Sequence, residues 1–257
     1  MKAKSTVKRA LTAVAVALFW LIIWEAAALL VAKPVLLPTP VATVKTLVLL
    51  MREKAFYISC SLSIVRIALG FIFGVFAGTV LGALTYRFKS VSALLTPLNA
   101  LIKATPIASF IILLLVWLSK GTIPSFTSFL IVTPVIWSAL KSSLESVDAK
   151  TLEAARVFAL PLFKKIRYIY IPSVRNKYLA SLETALGLSW KAGIAAEVLC
   201  TPKFSIGGEL YNSKIYLDTN SLFAWTLCVI VISLMLELLI KKLAGKLFKT
   251  EDGKNEA

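Results

Sequence analysis

The stretch TLEAARVFALPLFKKIRYIYIPSV, Thr151–Val174, decides how this sequence is interpreted, because it is charged while the segments on both sides are long and apolar. A first helix is predicted from an N-cap at Asp148 to about Phe158. It must end before Pro161, since a proline disfavours helical geometry at the preceding residue. Pro161 suits the first turn of a second helix, which Pro172 is expected to end. The pattern predicts two helices joined by a bend and parallel to a membrane, either resting on lipid headgroups or docking a cytoplasmic partner.

The composition of the 257-residue chain is that of an integral membrane protein. Hydrophobic residues make up 58% and charged residues 16%, whereas about a quarter of a soluble domain is charged. The apolar residues come in blocks of about 20, the length that crosses ~30 Å of hydrocarbon as a helix. No hydrophilic block is long enough to fold alone. Residues 1–257 are therefore predicted to be a single transmembrane domain, with its core at about 58–243 and the charged loop at about 142–176.

Six spans are predicted, which makes the chain an all-α polytopic membrane protein. They cover residues 11–31, 58–86, 91–118, 123–140, 178–200 and 222–243. The third span is the least regular, because Pro97, Lys103 and Pro106 interrupt it. The N-terminal apolar run is interpreted as a retained span, since no clear small-residue cleavage site follows it.

The net charge of +16 is explained by membrane topology rather than by a nucleic-acid partner. Most Lys and Arg residues outside the spans fall at the two ends and between the fourth and fifth spans, which the positive-inside rule places in the cytoplasm. Both termini and Thr151–Val174 are thus predicted to be cytoplasmic. The sequence has no histidine and its three cysteines stand alone, so neither a metal site nor a disulfide framework is predicted.

A row of glycines spaced four apart marks the second span: Gly70, Gly74, Gly78 and Gly82. Residues four apart share one helix face, so the row leaves room for a second backbone. Close packing against a neighbouring span or subunit is predicted, and lining a solute path is the alternative.

Charged residues within the spans are the candidates for a translocation pathway: Arg66, Lys103, Glu183, Lys191 and Glu197. A charge at mid-bilayer costs ~2.5–3.5 kcal/mol, so each should face protein or a wet cavity. Structural pairing or snorkelling is the alternative for each of them. Lys191 and Glu197 are not expected to pair within their own helix, because their spacing exceeds a turn and a half.

The segment EAARVFALPLFKKIRYIYIPSV resembles the EAA loop of ABC-importer permeases. Glu153, Ala154 and Ala155 match its Glu-Ala-Ala, and Ile171 with Pro172 matches its Ile/Leu-Pro pair, whereas Ala159 stands where the family usually has glycine. The segments LLPTPVATVKTL, SLSIVRIALGF and ALGLSWKAGIAAEVL are similar to the corresponding parts of nitrate/sulfonate/taurine-type permeases.

This resemblance implies a six-span permease of the type I importer fold, which forms a homodimer in the cell (inner) membrane. The loop would fit a cytoplasmic ATP-binding subunit, and an extracytoplasmic substrate-binding protein would deliver an oxyanion, a sulfonate or a vitamin precursor. The coupling residues implied are Glu153, Ala154, Ala155, Arg156 and Ala159. An Ala155→Glu variant is expected to fold nearly normally but to uncouple ATP hydrolysis from transport.

No enzyme activity and no cofactor are predicted for the chain itself, because it contains no G-x-x-x-x-G-K-[ST] phosphate loop. ATP would be bound by the partner subunit. An ion-coupled secondary transporter is the alternative, with Glu183, Lys191 and Glu197 as its site, but it leaves the EAA loop unexplained. A membrane-embedded enzyme is disfavoured, because the acids are scattered and histidine is absent.

Overall fold

The structure, a computed structural model, describes residues 2–252 and the side chains of residues 11–12 and 14–242. Lys254, one of the basic residues behind the predicted orientation, lies outside the described residues. The described part is helical, with no strand. Its helices are α1 Lys2–Val31, α2 Pro40–Leu50, α3 Lys54–Arg87, α4 Lys89–Ala104, α5 Ile107–Trp117, α6 Ile123–Glu145, α7 Ala149–Val157, α8 Leu162–Lys165, α9 Ile171–Cys200, α10 Ile206–Ile215 and α11 Thr219–Asp252.

The all-α polytopic class is confirmed, although length and hydropathy identify four or five spans in the described part rather than six. Four helices are each long and apolar enough to cross a membrane: α1, α3, α6 and α11. The third predicted span is not one continuous helix, because α4 and α5 form a pair bent by 101°. The bend falls at Thr105 and Pro106, where the proline lacks an N–H to continue the helical hydrogen bonds. The predicted fifth span lies in α9, which is not among the helices that are apolar enough by length and composition to be identified as spans.

The glycine row of α3 packs directly against α6, which confirms the predicted close packing and identifies the partner as a neighbouring span. A Cβ on Gly74 would come within 2.7 Å of the Val132 Cβ, and one on Gly78 within 2.6 Å of the Thr133 carbonyl oxygen. Real Cβ atoms do not approach that closely, so the two backbones depend on the absence of a side chain. This contact is called the glycine seam, and it comprises Gly70, Gly74, Gly78 and Gly82 against α6.

Helix α9 packs against α6, α3 and α11. Ala185 and Ala196 are fully buried, and a Cβ on Gly193 would collide with Ile67 of α3. The indole N–H of Trp190 donates to the Val229 carbonyl at 3.2 Å, which ties α9 to α11. Helices α3, α6, α9 and α11 therefore form the packed core of the described part.

Pro172 does not end the second helix of the Thr151–Val174 stretch, so that prediction is wrong. Helix α8 continues through a π-helical turn, Ile166–Tyr170, directly into α9. Pro172 lies in the first turn of α9, and the wider π turn before it accommodates a residue that has no N–H to donate. The result is one continuous rod, Leu162–Cys200, roughly 58 Å long at 1.5 Å per residue.

Candidate coupling and translocation sites

Helix α7 begins at the predicted N-cap. The Asp148 Oδ2 accepts from the Thr151 backbone N–H at 3.0 Å and from the Thr151 hydroxyl at 2.8 Å. These bonds favour the ionised carboxylate, and the Thr151 hydroxyl has the largest effect in holding the pKa of Asp148 below its ordinary value. A cap of this kind holds the first turn of α7 by local contacts alone.

The bend after α7 is a Schellman motif built on an alanine. The Leu160 N–H donates to the Ala155 carbonyl at 3.0 Å, and the Ala159 N–H donates to the Arg156 carbonyl at 2.9 Å. Ala159 has φ of 47°, in the left-handed region that favours glycine. This explains why the related EAA loops usually have glycine here. In this chain the same bend forms with an alanine, at a conformational cost.

The candidate coupling residues divide by exposure. Glu153, Ala154, Arg156 and Ala159 are exposed and available to a partner. Ala155 is only 2% exposed. The expectation that Ala155→Glu would fold nearly normally is therefore wrong, because that change would bury a carboxylate.

Four apolar side chains around the bend are exposed, and the sequence pattern did not single them out as a surface. Val157 is 83% exposed, Phe158 78%, and Leu162 and Phe163 each 71%. We call these four residues the elbow patch. Helix α7 ends at Val157, so Phe158 lies beyond its last helical residue. The left-handed residue Ala159 lies within this stretch, between Phe158 and Leu162.

Glu197 lies at the far end of the rod and is fully buried. Its Oε2 accepts from the Ser63 hydroxyl at 2.7 Å and from the Gly207 backbone N–H at 3.1 Å. Its Oε1 lies 3.6 Å from the Arg66 Nη1. The Ser63 hydroxyl also accepts from the Ile206 N–H at 3.0 Å. The carboxylate thus joins α3, α9 and the start of α10.

Arg66 completes this tie through the loop between α9 and α10. Its Nη1 donates to the Phe204 carbonyl and its Nη2 to the Lys203 carbonyl, both at 3.1 Å. Arg66 and Glu197 are therefore engaged with the protein itself. The charged residues in the spans were predicted either to contact a translocated solute or to pair within the protein. Arg66 and Glu197 do the second.

Glu183 is also paired, and it does not meet the other residues of the proposed ion-coupled site. Its Oε2 lies 3.9 Å from the Nζ of Lys241 on α11, at a partly exposed surface. Lys191 is exposed while Glu197 is buried against α3 and α10. The structure does not assemble Glu183, Lys191 and Glu197 into one site. In the described part no group of His, Cys, Asp or Glu side chains is arranged to hold a metal ion.

The remaining two candidates, Lys103 and Lys191, line neighbouring cavities. Lys103 lines a cavity of about 490 Å³ between α4, α5, α6 and α9. Lys191 lines a second, of about 320 Å³, between α5, α6 and α9. The two share three wall residues, Ile107, Ile131 and Leu188. We call the joined cavities the groove. Both volumes are in the range of sites for small molecules.

The sequence is similar to that of known transport proteins. The family described as "Binding-protein-dependent transport system inner membrane component" matches residues 70–249. The putative aliphatic sulfonates transport permease protein SsuC of Bacillus subtilis is 26% identical over 224 residues, covering 85% of this chain and 79% of that protein. The taurine transport system permease protein TauC of Escherichia coli is 24% identical over 235 residues, covering 87% and 83%.

Two further comparisons agree with these. The bicarbonate transport system permease protein CmpB of Synechococcus elongatus is 24% identical over 164 residues, covering 63% of this chain and 58% of that protein. A crystal structure of an amino acid ABC transporter with histidines superposes with a TM-score of 0.57 at 16% identity, over 73% of this chain and 90% of that chain. At this identity the superposition supports the fold alone.

Proposed function

This chain belongs to the binding-protein-dependent transport system inner membrane components. From that premise we propose that it forms the solute path of an ATP-driven importer. We further propose that the ATP-binding subunit of this importer binds the elbow patch. The family consists of transport permeases of the inner membrane. The relatives' names mention aliphatic sulfonates, taurine and bicarbonate. A small anion is therefore the proposed solute, and a separate substrate-binding protein delivers it from outside.

The observation that carries this proposal is the elbow patch. Val157, Phe158, Leu162 and Phe163 expose apolar side chains on a segment whose neighbours Lys164 and Arg167 are basic. Exposed apolar patches with a polar rim mark protein–protein contacts. We propose that the partner is a cytoplasmic ATP-binding subunit, because this sequence has no phosphate loop with which to bind ATP itself.

Movement of the ATP-binding subunit would be transmitted to the membrane-embedded helices through the continuous helix Leu162–Cys200. The elbow patch flanks the bend at Ala159, and from Leu162 the helix runs without a break to Cys200. Glu197 anchors the far end to α3 and α10. A displacement of the elbow would therefore be transmitted along α9, which forms one wall of the groove.

The groove is the proposed contact with a second copy of the chain. Lys191 and Lys103 on its walls are exposed, and each would cost ~2.5–3.5 kcal/mol if it faced hydrocarbon at mid-bilayer. Two copies joined across this face would turn the lysines toward a shared wet path. Glu153, Ala154, Ala155, Arg156 and Ala159 would then lie at two motor contacts, one for each copy.

Cysteine labelling and cross-linking test the orientation and the partner together. The native Cys60, Cys200 and Cys228 are buried. The labelling reagent should therefore react only with an introduced, exposed cysteine. An Ala154→Cys variant should react only from the cytoplasmic side and should cross-link to the ATP-binding subunit encoded with this chain. A Tyr216→Cys variant, at an 80% exposed position, should react only from outside and give no such cross-link. Labelling of Ala154→Cys from outside would overturn the proposal.

A further inference from the structure

Two of the three cysteines, which are far apart in the sequence, meet between α3 and α11. The Sγ atoms of Cys60 and Cys228 lie 3.8 Å apart, although 168 positions separate them along the chain. Both residues are largely buried, with 9% and 6% of their surfaces exposed. The sequence predicted no disulfide framework, because the spacing of the cysteines indicates no partner. Contact between two thiols on different helices is the arrangement from which a disulfide can form.

An aromatic contact holds the two helices in register at this point. Phe56 and Trp225 stack with their ring centroids 4.9 Å apart. They precede Cys60 and Cys228 by four and three residues, so each ring lies on the same helix face as the thiol that follows it. All four side chains belong to one buried cluster, which also contains Trp190 of α9. The packing of the core therefore brings the two thiols together.

Cys200 provides a comparison within the same chain. It is also buried, at 1% exposure, but its thiol donates to the Lys120 carbonyl at 3.4 Å. The other two cysteines contact each other. The pair therefore differs from a single buried thiol by having a second sulfur within reach.

We propose that Cys60 and Cys228 are a site of reversible oxidation, at which hydrogen peroxide closes a disulfide between α3 and α11. One thiol gives up its proton and its sulfur attacks a peroxide oxygen, so the O–O bond breaks and a sulfenic acid and water form. The sulfur of the second thiol then attacks the sulfenic sulfur. The S–S bond forms, the S–O bond breaks, and the hydroxyl group leaves with the second thiol's proton as water. The two thiols lose two electrons in total, and the peroxide gains them.

The position of the pair favours a small oxidant. Both cysteines lie near the first residues of their helices, Cys60 about 9 Å from Lys54 and Cys228 about 14 Å from Thr219 at 1.5 Å per residue. In the orientation proposed above these helix ends face outside, where the thiol reductants of the cytoplasm are absent. Hydrogen peroxide is little larger than water and can reach a thiol of such low exposure, whereas the disulfide of another protein cannot.

The disulfide would draw α11 toward the core that α9 also contacts. An S–S bond is about 2.0 Å long, so the sulfur atoms must approach by roughly 1.8 Å, through side-chain rotation and a small shift of the helices. Trp190 of α9 donates to the carbonyl of Val229, the residue that follows Cys228. The cross-link therefore restrains α9 and α11 against moving away from α3. Formation of the disulfide does not depend on the proposed function, because the contact between the thiols is the same in either orientation.

Counting thiols after oxidation tests the site directly. Membranes that contain the full chain are treated with hydrogen peroxide, and the protein is then denatured and alkylated. All three cysteines should be alkylated before oxidation, and only Cys200 afterwards, with the Cys60 and Cys228 peptides recovered as one linked species. Dithiothreitol should restore all three thiols. Absence of the linked species, or equal loss of the Cys200 thiol, would overturn the inference.

A shift of one residue provides the matched control. Cys60→Ser combined with Ser61→Cys keeps three cysteines and the depth along α3, but turns the thiol by about 100° to an exposed position. This variant should give no link to Cys228. A link as abundant as in the unmodified chain would mean that the contact in the core does not select the pair.

Thermal unfolding in lipid nanodiscs tests the restraint. Oxidation should raise the unfolding temperature of the unmodified chain by several degrees, because a cross-link that closes a long loop restricts the unfolded chain. The unfolding temperature of Cys228→Ser should not rise. A linked species that unfolds at the unmodified temperature would show that the disulfide restrains nothing. Failure of either experiment would leave the proposed function standing, since binding at the elbow patch uses none of the cysteines.

Discussion

The glycine seam and the elbow patch are held in opposite ways. At the seam, α3 and α6 are in contact at four successive glycines, and the side chains that would separate them are absent. At the elbow, the Asp148 cap and the left-handed Ala159 shape the chain by local hydrogen bonds, and large apolar side chains remain exposed.

This difference indicates which residues affect folding stability and which affect binding to the partner. Burial in a native-density interface leaves no room for added atoms, so substitutions at the seam act on folding. Exposed side chains contribute little to the free energy of unfolding, so substitutions at the elbow patch act on partner binding. The four predictions below test that division, from the largest expected effect to the smallest.

Gly70→Leu should abolish the fold. A Cβ on Gly70 would overlap the backbone carbonyl of Ser125, which cannot rotate away as a side chain can. Overpacking typically costs about 1–3 kcal/mol, and more where the structure cannot adjust, so monodisperse protein should be lost in size-exclusion chromatography. Gly121→Leu is the matched control, because nothing lies within 4 Å of a Cβ placed on Gly121. A Gly70→Leu protein that unfolds at the unmodified temperature would show that the seam is not tight.

Phe158→Glu should leave the fold intact and remove transport. Phe158 is 78% exposed, so the change should shift the unfolding temperature little, while a carboxylate in the partner's apolar cleft weakens the contact. ATP-driven uptake in vesicles should fall by at least about tenfold, equivalent to 1.4 kcal/mol. Tyr216→Glu changes an 80% exposed aromatic far from the elbow along the chain and should transport normally. Normal uptake by Phe158→Glu would remove the elbow patch from the mechanism.

The features that sequence predicted well are those set by neighbouring residues. Asp148 caps α7, and the bend falls before Pro161, because both depend on a few adjacent positions. The glycine row predicted a close contact because residues four apart must share a face. Local pattern was sufficient for each of these.

The features that sequence missed depend on distant partners. Spacing alone did not show that Glu197 pairs with Arg66 on another helix, or that Glu183 pairs with Lys241. The continuation of the helix through Pro172 required a π turn that residue preferences do not foretell. Lys103 and Lys191 were grouped with acids in the sequence and separated from them only by the three-dimensional arrangement.

Ala159→Gly should stabilise the elbow slightly, by about 1 kcal/mol, since an L-residue in the left-handed region costs ~1–2 kcal/mol and glycine does not. Ala154→Gly is the matched control with the opposite sign, because Ala154 is exposed within α7, where glycine is less favourable than alanine by ~1 kcal/mol. Hydrogen exchange of the last turn of α7 should slow in the first variant and quicken in the second. The same sign in both would mean that the Ala159 conformation is not strained.

The smallest effect is the acid response of the elbow, which the seam should not share. The folded pKa of Asp148 is depressed by the Thr151 hydroxyl and N–H, so its cap stabilises α7 above the unfolded pKa and is lost as pH falls through the folded pKa. Amide exchange in the first turn of α7, corrected for intrinsic rates, should therefore quicken in acid, while exchange at Gly74 and Val132 should not, because the seam contact there has no ionisable group. Asp148→Asn can still cap but does not titrate, so its first turn should be insensitive to pH. An equal acid response in the Asn variant would place the titrating group elsewhere, and an equal response at the seam would mean that the two regions unfold as one unit.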